Sequence, residues 1–249
     1  MAWFAVLGMG MVLGALGGGG GILTVPILVG LFGMSATEAS GSSLLVVGLA
    51  SSVGAVQGLF AKKVDWPAAL LIAVPSTIGA LAARLFVVPN IPKLVFGIAK
   101  DDLLLGTFAA VMVLVGIKML RPAKEEQVIE SGRIKIALVG LLIGVVSGML
   151  GAGGGFLILP ALTLLVGLDL AGAIPTSLLV ISLQSLGGFT GELGKPIQWG
   201  LLGGIVAVAM AGMGLGLLLR KRAPQKTLQT SFAVLVFAVA AWMVVKVIS

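Results

Sequence analysis

The chain has 249 residues, 59% of them hydrophobic and 10% charged, with a mean hydropathy of +1.20, whereas a soluble domain carries about 25% charged residues. Water is excluded as its solvent, and the absence of cysteine, histidine and tyrosine argues against thiol nucleophiles, imidazole or thiolate metal sites and the commonest general base at neutral pH. The net charge of +7, from 16 Lys+Arg against 9 Asp+Glu, lies in short loops between apolar runs, so it reports membrane orientation and not nucleic-acid binding.

The opening run, Met1 to Gly21, lacks the basic flank of a signal peptide and is read as part of the mature fold. It is interrupted by the cluster Gly17 to Gly21 and resumes as a short apolar run ending near Gly33. Neither piece is long enough to span a bilayer comfortably, which takes roughly 20 residues. Helices are then expected over about 35–61, 66–87 and 103–120. Ser35 with Glu38 forms a capping box for the first, Asp65 precedes Trp66-Pro67 at the second, and Asp101-Asp102 precede the third. After the charged stretch from Arg121 to Lys135, helices are expected over about 134–150, 169–192, 198–219 and 225–247, with Asp169 as an N-cap. Trp3, Trp66, Trp199 and Trp242 fall at helix ends, where an aromatic belt is expected.

Residue i and residue i+134 match. Gly19-Gly20-Gly21-Ile22-Leu23-Thr24-Val25-Pro26 falls on Gly153-Gly154-Gly155-Phe156-Leu157-Ile158-Leu159-Pro160, Ser42-Ser43-Leu44 on Thr176-Ser177-Leu178, Ser51 on Ser185 and Gly54 on Gly188. After a slip of one residue, Trp66 falls on Trp199 and Gly79 on Gly212. The chain is therefore a duplicated unit, divided into a first membrane repeat, 1–120, a charged cytoplasmic linker, 121–134, and a second repeat, 135–249. Loop charge sets the parity of each repeat. If each opening element goes in and returns, eleven cations collect on one face, Lys62, Lys63, Lys118 and Arg220 among them, and five on the other, Arg84 and Lys195 among them; if it crosses once, the split is nine to seven. The positive-inside rule favours the first. The expected fold is an all-α integral membrane protein of two inverted-topology repeats, each opening with a glycine-broken half-helix hairpin followed by about three transmembrane helices, as in secondary transporters.

Non-helical backbone at the middle of a bilayer persists only if it lines a cavity or is buried in protein. The half-helices after the glycines would aim free N–H groups and a positive dipole end at such a cavity, which suits an anion. Close packing of small residues is the alternative. A nucleotide loop is rejected, because no Gly-Lys-Ser/Thr follows either cluster. Polar residues inside the apolar runs add hydroxyl and amide donors at recurring spacings, although Ser and Thr can also bond back to their own helix. The expected substrate-binding residues are Gly18, Gly19, Gly20, Gly21, Thr24, Ser43, Ser51, Gly153, Gly154, Gly155, Thr176, Ser177, Gln184 and Ser185. Arg84 is read as a snorkelling residue at a helix end, with a substrate gate as the alternative, and Glu192 as a loop ion pair with Lys195, with a proton carrier as the alternative.

The paired elbows with Pro26 and Pro160, the Ser42-Ser43 and Thr176-Ser177 pairs and the duplicated layout resemble the sulfite exporter TauE/SafE family over nearly the full chain. That resemblance implies transport of a small sulfur-containing anion (sulfite, thiosulfate or an organosulfonate) across the inner membrane of a prokaryote. Gly18 is matched by Ala152, so the two elbows differ. The expected function is alternating access around a midplane site, with a passive anion channel as the alternative; no enzyme and no cofactor are expected. The expected partners are a small anion and the lipid bilayer, no nucleic acid, and a homodimer is an open alternative.

Overall fold

The computed structural model describes residues 1–92, 94–95, 98–120, 132–220, 234 and 236–245. Most of the expected linker and the start of the helix expected over 225–247 lie outside them. Helix α1 (Ala2–Leu16) stops at Gly17, whose left-handed backbone, φ 70°, lets its amide donate to the Leu13 carbonyl at 3.0 Å. A 3-10 turn, Gly19–Leu23, leads into α2 (Thr24–Leu31). Helix α3 (Ala36–Phe60) begins at the capping box of Ser35 and Glu38, and α4 (Trp66–Ala82) at the Asp65 side chain with proline in its first turn, both as the sequence predicts. Helix α4 continues through a π turn, Ala83–Val87, into α5 (Val88–Asn90). A two-residue antiparallel pairing, Leu94–Val95 with Ile98–Ala99, then precedes α6 (Lys100–Leu120).

The second half repeats the series. Helix α7 (Arg133–Leu150) ends at left-handed Gly151, φ 75°, as α1 ends at Gly17. Then follow α8 (Gly155–Leu164), α9 (Leu170–Phe189) capped by Asp169 and extended by a 3-10 turn to Glu192, α10 (Trp199–Leu219) and α11 (Val236–Val245). The chain is an all-helical membrane protein. Among the described residues five helical stretches are long and apolar enough to cross a bilayer: Ala36–Phe60, Trp66–Asn90, Arg133–Leu150, Leu170–Glu192 and Trp199–Leu219. The four tryptophans stay partly exposed, between 41% and 56%, which suits ring placement at a lipid interface.

The halves pack reciprocally. Helix α1 lies on α10 and α7 on α4, while α3 and α9, the equivalent long helices, lie against each other. Small residues permit these approaches, since without a hydrophobic drive between helices in lipid the contact must be close to count. A Cβ on Gly144 of α7 would strike the Ser76 carbonyl of α4, and one on Gly216 of α10 the Met11 carbonyl of α1. The registers also give direction. A Cβ on Gly41 would meet Glu192, and one on Gly58 would meet Pro175, so α3 and α9 run antiparallel. Under the shift of 134, Gly41 becomes Pro175 and Gly58 becomes Glu192, so these are one contact seen from each half. Elsewhere Gly140 faces Ile72 and Gly148 faces Ala80, so α7 runs parallel to α4, and Gly10 facing Ala209 with Gly14 facing Met213 makes α1 parallel to α10.

Candidate functional site

The two elbows meet at half height. Gly18 and Gly155 approach each other beside Ile181, which lies at the middle of Leu170–Glu192, and Gly21 approaches the Ala152 carbonyl beside Val47, at the middle of α3. Ile181 and Val47 are equivalent positions, as are Gly18 and Ala152, so the crossing has the same two-fold character as the helix packing. A Cβ on Gly18 would lie 3.1 Å from both the Cα and the carbonyl oxygen of Gly155, so backbone touches backbone there.

Ser43 and Ser177, equivalent residues, pin this crossing. The Ser43 hydroxyl donates to the Gly151 carbonyl at 2.5 Å, and the Ser177 hydroxyl to the Gly17 carbonyl at 2.8 Å. Each also lies within 2.8 Å of a carbonyl of its own helix, Ser40 or Ile174. Each elbow's left-handed glycine is thus held by the other half's serine. The hydrogens of these two hydroxyls are committed to carbonyls in this conformation.

Beyond that point the elbows diverge. The first meets backbone and an aliphatic side chain and no polar side chain: a Cβ on Gly20 would press on the backbone of Leu13 and Met9, and one on Gly21 on the Ala152 carbonyl and on Val47, which also lies against Gly153. The second is lined with polar groups. A Cβ on Gly154 would lie 2.8 Å from Gln184 Nε2 and 3.2 Å from Ser147 Oγ, and one on Gly153 3.2 Å from Ser185 Oγ. Gln184 Nε2 donates to the Gly153 carbonyl at 3.4 Å, while Ser147 Oγ, Ser185 Oγ and Gln184 Oε1 are buried with no hydrogen-bond partner. Buried polar atoms are almost always paired, because an unmade hydrogen bond costs about 1–3 kcal/mol. The two free hydroxyls of Ser147 and Ser185, with the Gln184 amide nitrogen, which holds the Gly153 carbonyl only at 3.4 Å, stand round a left-handed Gly153–Gly154, φ 67° and 65°, beside the orphan first-turn amides of α8. These N–H and O–H groups can donate to an anion without a lysine or arginine, whereas Gln184 Oε1 can only accept.

Of the other expected residues, Ser51 is fully buried on α3 with an unpartnered hydroxyl, and Gly19 opens the 3-10 turn. Thr24 points its hydroxyl at Met9 Sδ, 3.5 Å away. Thr176, next to Ser177, has its hydroxyl engaged elsewhere: it donates to the Gly172 carbonyl at 2.7 Å and accepts from the Asp65 amide at 3.0 Å, tying a loop to α9. Ser147 is a lining residue that sequence reasoning missed. Its signal was there, since the shift of 134 sets Ser147 on Leu13 and Gln184 on Ala50, polar against apolar.

Arg84 corrects the sequence reading. It does not snorkel but is fully buried, its Nη1 3.2 Å from Glu192 Oε1 and from Ser40 Oγ. A charge on a membrane-length helix turns inward when a counter-ion waits there. Glu192 does pair with Lys195, at 2.9 and 3.0 Å, as expected.

Cavities open at both ends of the α3–α9 pair. One of about 370 Å³ is lined by Gln57, Gly58, Ala61, Lys63, Leu217 and Arg220 among others. At the other end lie cavities of about 260 Å³ and 150 Å³ that share Glu38, Ser42, Pro196 and Ile197. Burial pulls the Arg220 guanidinium below its ordinary value, so an anion entering that mouth would meet a cation short of water. Among the described residues no group of acidic side chains could hold a metal ion.

An all-helical bundle of membrane-crossing length, built on glycine elbows crossed at its middle, defines a multi-pass membrane protein of the transporter class. The family model of the sulfite exporter TauE/SafE matches residues 2–243, and the chain belongs to that family. It is 31% identical to probable membrane transporter proteins of two Xylella fastidiosa strains, 9a5c and Temecula1 / ATCC 700964, over 95% of this chain and 91% of each relative. No solved structure matches it. The chain is a membrane transporter and not an enzyme.

Proposed function

We propose that the protein is a secondary transporter of the prokaryotic inner membrane for a small sulfur-containing oxyanion (sulfite, thiosulfate or an organosulfonate), working by alternating access between the crossed elbows. The observation that carries this reading is the pair of buried, unpartnered hydroxyls of Ser147 and Ser185, with the Gln184 amide nitrogen beside them round Gly153–Gly154. Neutral donors suit a weakly basic anion that must be released again, and the α8 dipole adds about 0.3–1 kcal/mol. The family supports the sulfur class. The abutting Gly18 and Gly155 favour a carrier over an open channel, because no anion passes that contact unless the elbows move apart.

The antiparallel course of α3 and α9 supports an inverted-topology repeat. With the Lys63 and Arg220 mouth on the cation-rich, cytoplasmic side, the cavity of about 370 Å³ faces the cytoplasm. Reporter fusions in the 121–134 linker and at Ser249 should therefore report opposite sides, the linker inside. Both on one side would overturn the inverted repeat.

Counterflow tests the mechanism. Proteoliposomes loaded with sulfite or thiosulfate should take up the labelled anion against its gradient, saturably. Downhill flux without counterflow would make the protein a channel, and no flux of any sulfur oxyanion would remove the substrate class.

A further inference from the structure

The cluster of Arg84, Glu192 and Lys195 joins the halves at the end opposite the Lys63 and Arg220 mouth, and its geometry is incomplete in a specific way. A guanidinium presents five N–H donors in a planar fork, and its Nε–Nη2 edge matches the two oxygens of an oxyanion. In Arg84 the carboxylate takes only Nη1, and Nε and Nη2 are buried with no partner. The favourable edge is unused. Glu192 has a second holder, because Lys195 Nζ reaches both its oxygens, so release of Arg84 would not leave the carboxylate alone. The cavity of about 150 Å³ is lined by Glu192, Lys195, Thr37 and Ser42, which gives a path from outside to the carboxylate that holds Arg84.

The duplicated fold supplies a control. The equivalents of Glu192 and Lys195 are Gly58 and Ala61, and that of Arg84, by the slipped register, is Leu217. All three line the open cavity of about 370 Å³. The same place in the two halves is thus filled by an ion cluster in one and open in the other, so the fold does not require charge there. A buried arginine within a membrane helix is costly unless it serves a ligand or a partner, and it stands on a π turn, Ala83–Val87, a local irregularity frequent at functional sites.

We propose that Arg84 is a second anion-binding group, distinct from the elbow site, on which Glu192 is a resident counter-ion that a small oxyanion displaces, and that this displacement opens the Arg84 end of the pathway. The ligand is a compact oxyanion carrying two acceptor oxygens on one face. The assignment rests on the anion-transport reading for its ligand class and on the geometry of the Arg84 cluster for its place. Displacement leaves Glu192 with Lys195, which already binds it, and frees the contact between α4 and the end of α9. The mouth then resembles its open counterpart at Gly58 and Leu217.

Calorimetry on the purified full-length protein tests this, with sulfite and thiosulfate as probes, in wild type and in a Gly154→Leu background that disables the elbow site. Glu192→Gln removes the competing charge and should tighten binding about tenfold, since a charged acceptor outweighs a neutral one by roughly that factor. Arg84→Gln with Glu192→Gln keeps the charge balance and removes the fork; it should abolish the binding that remains in the Gly154→Leu background while the melting temperature stays within a few degrees of wild type. Unchanged binding in that double variant, or unchanged or weaker binding in Glu192→Gln, would make the cluster a structural ion pair and overturn the proposal. Should the double variant not fold, the Glu192→Gln titration decides alone. Binding by the elbow background that depends on Arg84 upholds this site even if the elbow reading fails, and no binding of either probe to wild type overturns both.

Discussion

Gly154→Leu is expected to abolish transport while the protein stays folded in the membrane, whereas Gly20→Leu is expected to lose the folded protein itself. The two residues are equivalent under the repeat, and only their surroundings separate them. A side chain at Gly154 meets the amide end of Gln184 and the side chain of Ser147, which can swing aside, though the left-handed backbone adds a strain of about 1–2 kcal/mol. The groups displaced are those that would hold the anion. At Gly20 the added atom meets the backbone of Leu13 and the Met9 carbonyl, part of a helix that cannot yield without leaving α10. Monodisperse yield in detergent together with uptake into proteoliposomes separates the outcomes. Wild-type transport by folded Gly154→Leu would remove the second elbow from the site.

Ser43→Ala and Ser177→Ala should each lower stability by about 1–3 kcal/mol, the cost of leaving the Gly151 or the Gly17 carbonyl buried without its cross-elbow donor. The pair should be coupled, because both serines fix one crossing, so the double variant should depart from the sum of the singles by more than about 0.5 kcal/mol. Ser52→Ala is the control. Its hydroxyl bonds only the Leu49 carbonyl of its own helix, at 2.7 Å, and its loss should change stability by less than about 0.5 kcal/mol. Denaturant unfolding in detergent reads all four. Equal effects at Ser43 and Ser52 would mean that the elbows are held by packing and not by these hydrogen bonds.

Much of the fold was legible because it depends on local rules. Ser35 with Glu38, Asp65 and Asp169 fixed helix starts through side chains that bond amides three residues on, and such contacts are written within a few positions of sequence. Gly17 and Gly151 were legible as breaks because only glycine takes a left-handed C-cap without strain. The division of roles between serines was not legible. Ser43, Ser51, Ser177 and Ser185 share a helix face by spacing, yet two donate to carbonyls of the opposite half and two have no partner. Spacing places a hydroxyl on a face; it does not say which backbone crosses that face.

The sequence by itself determined the membrane as solvent, the duplication, the helix starts at Ser35, Asp65 and Asp169, the broken elbows and the membrane-transporter class, since each follows from composition, period or a contact within one turn. Asp101 and Asp102, expected to precede their helix, lie in the first turn of α6, where Asp101 accepts from Thr37 instead. The tertiary structure decided the rest. Arg84 and Glu192 are 108 positions apart, and nothing local to either predicts that α4 and the end of α9 lie side by side. Likewise the elbows differ because the Ser147 side chain reaches Gly154 while only backbone of Leu13 and Met9 reaches Gly20, which is set by how α7 and α1 approach them. Charge pairing and donor placement are properties of helices brought together, and in a membrane the partner a polar group finds determines whether it snorkels outward or turns in.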